Sequence, residues 1–194
     1  MSAPEHGATG AGEGVWLADC ATDVVDVGAY ALSSADARRR VGGVELTPFG
    51  RCASSGGHLV VSVRPARWLL LSPPASPGSA AARWERTCQG QAAVSDMSAA
   101  LAACVLAGPR AREMLTRGCR LDLSPAVFGP GEAAATIMAQ VSVTLAALPE
   151  CLLLLTPAST ARHFREWLAG TAAPFGLVRA APVSLSELSG DRAT

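Results

Sequence analysis

The residues that could carry chemistry are few and scattered. Six cysteines stand at positions 20, 52, 88, 104, 119 and 151, and no two form a C-x-x-C pair. That spacing fits neither a zinc ribbon nor a thioredoxin-type motif. The histidines, at 6, 58 and 163, are far apart. His163 and Glu166 have the i, i+3 spacing of two ligands on one helix face, but with no second pair a solvated face is the simpler reading. Asp96 and Ser98 flank Met97 at a break in an apolar run. A carboxylate there could act as an acid or base or hold a substrate amine. It could equally tie the turn through side-chain to backbone hydrogen bonds, which is the favoured reading. Arg38-Arg39-Arg40 is the single basic cluster. It could grip a phosphate or line the rim of an interface.

What is missing narrows the chemistry further. The chain of 194 residues has no lysine, so all 16 basic residues are arginine. Schiff-base catalysis and a phosphate-loop lysine are excluded for this chain. No G-x-S-x-G or H-E-x-x-H motif occurs. The run Gly10-Ala11-Gly12-Glu13-Gly14 lacks the flanking strand and helix of a dinucleotide site and reads as a linker. A formal net charge of zero and 5% aromatic residues argue against a nucleic-acid partner. Apolar runs are short or interrupted, as by Pro149-Glu150, so no membrane span is expected. Residues 1–14 lack the pattern of a secretory signal, and scattered free thiols suit the cytoplasm.

The elements that position these residues come next. Hydrophobic residues are 49% of the chain and charged ones 16%, a core-rich globular composition. Residues 1–14 read as a flexible tail, 15–180 as one α+β domain and 181–194 as a C-terminal tail. Strands are expected at 24–32, 58–63, 68–71, 93–107 with a break at 96–98, 134–147 with a bulge near Gln140, and 152–156. Helices are expected at 35–41, 80–89, 109–117 and 160–169. In the stretch 102–118 an apolar run meets Gly108-Pro109. Pro109 suits a first helical position, Ala111, Met114 and Leu115 share one face, and Arg110, Arg112 and Arg117 point away. Gly118 fits a left-handed stop.

Two half-repeats, about 20–90 and 91–178, follow from overlaying these elements. Trp68-Leu69-Leu70-Leu71-Ser72-Pro73 lies over Leu152-Leu153-Leu154-Leu155-Thr156-Pro157, and Trp84 over Trp167. Each half reads strand, helix, strand, strand, helix, the split βαβ order of ferredoxin-like units.

Several segments occur in a telling order: Pro65-x-x-Trp68-Leu69-Leu70, Val94-Ser95-Asp96-Met97-Ser98, Leu106-Ala107-Gly108-Pro109-x-Ala111, Gly118-Cys119-x-Leu121-Asp122-Leu123, Phe128-x-Pro130-Gly131, Thr136, and Ser159 with Trp167-Leu168. Over about residues 20–178 this order resembles the gamma subunits of heterotetrameric sarcosine oxidases. They are in turn similar to the folate-binding domain of the glycine-cleavage T-protein, an aminomethyltransferase. The resemblance implies a folate-domain fold and an accessory, non-catalytic subunit of a complex that oxidatively demethylates sarcosine or a related N-methyl amine. It implies alpha, beta and delta partner subunits that carry FAD, FMN, NAD, zinc and tetrahydrofolate, and no cofactor on this chain. Asp96-x-Ser98 matches the T-protein's Asp-x-Ser-His lead-in, but Ala99 replaces the histidine. The strand around Thr136 lacks the carboxylates the T-protein carries there. The alternatives are a folate-dependent aminomethyltransferase and a folate-domain assembly factor.

Overall fold

The computed structural model describes residues 14–29, 40–41 and 43–188. Two sheets, one antiparallel and one antiparallel but for two short parallel strands, are stacked with helices on both outer faces. The first sheet contains β1 (Val15–Ala21), β9 (Leu101–Ala107), β10 (Ala133–Met138), β11 (Val141–Ala147) and β12 (Cys151–Pro157). The second contains β2 (Asp23–Ala29), β5 (Arg51–Ser55), β6 (His58–Arg64), β7 (Arg67–Ser72) and β8 (Ala92–Asp96). A small ribbon, β3 (Arg40–Val41) with β4 (Val44–Glu45), stands beside them. Helix α1 (Ser79–Cys88) covers the second sheet, while α2 (Ala111–Leu115) and α3 (Ala161–Ala172) cover the first.

The leucine runs follow from this stacking. A strand points successive side chains to opposite faces, so a strand buried on both faces has no polar alternation. In β12, Leu152 and Leu154 pack toward α2 and α3, while Leu153 and Leu155 enter the layer between the sheets. In β7, Trp68 and Leu70 meet α1, while Leu71 enters that same middle layer. The chain therefore has three stacked apolar layers rather than one core.

The five antiparallel strands of each sheet follow matching orders, β5-β6-β7-β2-β8 and β10-β11-β12-β9-β1, and the first sheet continues beyond β1 with two short parallel strands. Each takes four strands from one half of the sequence and the fifth from the other. At their free edges they are stitched together. Cys52 N–H donates to the Gly131 carbonyl at 2.8 Å, Ala133 N–H to the Gly50 carbonyl at 2.8 Å, and Arg51 pairs with Glu132.

Several expected elements take a different form. The strand expected at 134–147 is a hairpin, β10–β11, closed by Ala139 and Gln140 with φ of 49° and 65°. Left-handed turns usually announce themselves with Gly or Asn, and here neither is present. Each half therefore has three strands after its first connection, so the strand-helix-strand-strand-helix count is corrected. β1 and β5, expected as no element, complete the two sheets. Helix α2 is shorter than 109–117. The helix expected at 35–41 lies mostly outside the described residues, and its last two positions form β3. The segment expected as a tail contributes β14 (Val183–Ser184), parallel to β1, and α4 (Leu185–Leu188), whose Leu185 is buried between the sheets. β13 (Leu177–Arg179) also pairs parallel with β1.

Candidate functional site

The turn from β9 into α2 is built on close backbone approach. Gly108 has φ of 103°, and a Cβ there would lie 3.2 Å from Trp16 and run into the Gly14 carbonyl. Glycine alone tolerates both conditions. Pro109 sits inside this turn, and the Gly108 carbonyl accepts the Ala111 N–H at 3.1 Å. α2 buries Ala111, Met114 and Leu115, the expected face. Arg110 forms a two-point pair with Glu113, both bonds 3.0 Å, and lies 4.5 Å from the Phe175 ring centre. Arg117 lies 5.7 Å from the same ring.

Arg112 departs from the expectation that it points away with Arg110 and Arg117. Its guanidinium turns inward and donates to the carbonyls of Leu123 at 2.8 Å and Phe128 at 2.7 Å, which pins the loop 121–131. Gly118 also differs: it is absent from the left-handed region. Its requirement is steric, since a Cβ would lie 2.8 Å or less from the Trp167 ring.

Asp96 and Ser98 are brought together, as a turn. Asp96 Oδ1 accepts the Ser98 N–H at 2.9 Å. Ser98 Oγ accepts the Val24 N–H at 3.1 Å, and the Val24 carbonyl accepts the Met97 N–H at 2.8 Å. Hydrogen bonds from the Ser98 side chain and backbone hold the exposed Asp96 carboxyl below its ordinary pKa. An ionised carboxylate of low basicity is a poor proton carrier near neutrality. This turn and Pro109 stand at opposite ends of the seven-residue β9, roughly 20 Å apart at strand rise, so they do not form one site.

The remaining candidates are accounted for in turn. Arg38 and Arg39 lie outside the described residues, and Arg40 opens β3. Thr136 sits in β10 opposite Val143, and β10 carries no carboxylate. The acid just before it, Glu132, is committed to Arg51 across the sheet edges. All six cysteines are free thiols, five of them buried. Burial pushes the thiols of Cys20, Cys52 and Cys151 up to about 11 and that of Cys104 up to about 12. The thiolate is the nucleophile, so these groups are chemically quiet. Among the described residues no cluster of His, Cys, Asp or Glu could hold a metal ion, and no helix is long and apolar enough to cross a membrane. Sequence reasoning missed the Arg51–Glu132 and Arg112 contacts. Each joins residues distant in sequence, and no local signal marks them.

Stacked sheets of matching order, with a polar turn where an active site could stand, invite comparison with solved structures. The chain folds like a chain of heterotetrameric sarcosine oxidase. The match is to that oxidase from Corynebacterium sp. U-96, solved in complex with pyrrole 2-carboxylate, with a TM-score of 0.72 and 25% identity over 86% of this chain and 88% of that one. A second likeness, of fold alone, is to the glycine cleavage system aminomethyltransferase T from Bartonella henselae. There the TM-score is 0.62 and the identity 14%, over 86% of this chain and 48% of that one. The likeness to the sarcosine oxidase chain thus runs nearly end to end, whereas this chain spans about half of the aminomethyltransferase. No protein-family model and no curated protein matches the sequence.

Proposed function

We propose that the chain is a small accessory subunit of a sarcosine-oxidase-like complex, in the position of its gamma subunit. The observation that carries this reading is the reciprocal, near full-length likeness to a chain of heterotetrameric sarcosine oxidase. Fold alone does not convey an activity, so the chemistry of the side chains matters beside it. Asp96 and Ser98 are spent on a turn, β10 has no carboxylate, and burial raises the thiol pKa values of Cys20, Cys52, Cys88, Cys104 and Cys151. These features favour a docking role over catalysis by this chain. In this reading alpha, beta and delta partners carry FAD, FMN, NAD, zinc and tetrahydrofolate, and the heterotetramer works in the cytoplasm on sarcosine or a related N-methyl amine.

We also infer that the two sheets descend from one duplicated unit. Their matching strand orders and the reciprocal exchange of β1 and β8 support this. The T-protein-like fold supports the alternative, a folate-dependent aminomethyltransferase.

Affinity purification of the full chain from its native cells, with mass spectrometry of what accompanies it, tests the lead reading. Flavin-bearing subunits should co-purify in fixed ratio. A stable monomer that oxidises sarcosine unaided overturns it. Calorimetry with tetrahydrofolate separates the alternative, because tight binding by the isolated chain favours the transferase.

A further inference from the structure

Each sheet takes its fifth antiparallel strand from the other half of the sequence, β1 in the first and β8 in the second. The outer edges of these two strands are finished differently. Beyond β1 the chain lays down an extended segment from Val15 to Ala21. Leu177–Arg179 and Val183–Ser184 pair parallel with β1, and the Ala180 N–H donates to the Leu17 carbonyl at 3.0 Å. With that cover β1 buries Val15, Leu17, Ala18 and Cys20. β8 buries no residue along its length.

The backbone of β8 is open on its outer side. The Met97 N–H donates inward to the Val24 carbonyl at 2.8 Å, and successive residues of an antiparallel ladder turn their N–H and C=O groups to alternate sides. Ser95 and Ala93 therefore bond to β2, while Ala92, Val94 and Asp96 turn theirs outward. Among the described residues none pairs with those outward groups. The strand keeps continuous register with β2 over five residues and has no bulge, proline or basic residue. Natural sheets blunt an uncovered edge with such features. The opposite end of the same sheet needs none, because β5 is stitched to Gly131.

We propose that the outer edge of β8 receives an extended segment of a partner subunit, which joins the second sheet as a parallel strand, as the segment 177–184 joins β1. Such docking rests on the accessory role, which supplies the partner. Two copies of β8 related by a two-fold axis would meet antiparallel, so a parallel occupant comes from a different chain. Main-chain hydrogen bonds would hold the added strand, and the pleat selects its side chains. On one side these lie beside Val94, which packs on the α1 layer, and on the other beside the exposed Ala93 and Ser95. Alternating apolar and polar residues fit, as in β14, where Val183 packs on the middle layer and Ser184 follows it. The exposed Asp96 carboxylate, the one charge on β8, favours a basic residue where the occupant passes the strand's end.

Hydrogen exchange read by mass spectrometry over residues 92–96, in the isolated full chain and in the complex purified with it, tests this docking. The outward amides of Val94 and Asp96 should exchange roughly tenfold or more slowly in the complex. Val94→Pro deletes an outward N–H and leaves the ladder to β2 intact. It should melt near the parent yet recover roughly tenfold less of the partner subunits. Ser95→Lys places a charge at an exposed edge position without altering the backbone, and should lower recovery as well. Unchanged exchange, or full recovery with both variants, overturns the proposal and leaves the accessory role standing. Protection that rises with concentration in the isolated chain, together with a dimer mass, assigns the edge to a second copy and also overturns it. If the parent recovers no flavin-bearing subunits, the accessory role fails and the docking edge falls with it.

Discussion

On the α3 face, Trp167 stacks on Phe164 with ring centres 5.8 Å apart, and its ring lies over Gly118. On the α1 face, Trp84 meets the His58 ring edge-on at 5.3 Å. The two tryptophans stand at corresponding places, each on the helix that follows a leucine strand. One is paired with an aromatic ring and a glycine that vacates room for it. The other is paired with a polar ring. The same architecture thus yields an aromatic contact on one face and a desolvated polar ring on the other, and the difference lies in the partner of one tryptophan.

Truncation breaks the comparison most strongly. Trp84→Ala should destabilise the chain by about 3–5 kcal/mol, the usual cost for a buried aromatic. Trp167→Ala should cost less, because Trp167 is only half-buried. Urea denaturation of both variants measures the gap. An equal or larger loss at Trp167 would show that the aromatic contact on the α3 face, not the packing of Trp84, anchors its outer layer.

A smaller effect sharpens the account of the α3 face. Gly118→Ala forces a methyl into the Trp167 ring and should cost about 1–3 kcal/mol, as overpacking does. In a double-mutant cycle with Trp167→Leu, much of that cost should disappear, since the two residues touch. Additive losses would mean that the glycine serves the backbone rather than the ring.

These faces differ in how plainly the sequence announces them. Leu152–Leu155 and Trp68–Leu71 are legible as strands, because burial on both sides leaves continuous apolar runs. The α3 inner face is legible too, since Phe164 and Leu168 recur at helical spacing and both are buried. β1 is less so: Asp19 interrupts it, yet it lies between β9 and β13 in the first sheet. At Ala139-Gln140 the sequence suggests a bulge near Gln140, but neither residue signals the left-handed turn that closes the hairpin there. Gly118 looks like a helix stop, and only the approach of Trp167, 49 positions later in the numbering, reveals its steric role. The partners of Arg112 and of His58 come from segments that only the fold brings together. Local pattern therefore reveals the strands and the buried faces, and long-range packing decides what those faces leave exposed.

The mildest prediction concerns pH and belongs to the α1 face alone. Burial, then the charge of Arg83, lowers the His58 pKa from the ordinary 6.5, and a backbone contact with Leu71 offsets only part of this. The unfolded chain therefore takes up a proton at a higher pH than the folded one. The stability associated with a neutral His58 is fully present above about pH 6.5 and declines as the pH falls below it, levelling off beneath the folded pKa. The exposed carboxylates with shifted pKa values are all held down, Asp96 and Asp122 below 3.8 and Glu113 below 4.5, and so act in a more acidic window. Subtracting the urea-denaturation profile of His58→Gln from that of the parent, between pH 5 and 7.5, isolates the term. The parent should lose stability relative to the variant toward pH 5. A flat difference would mean that the imidazole is as readily protonated in the fold as in water, and the contrast between an aromatic contact on one face and a desolvated polar ring on the other would lose its electrostatic half.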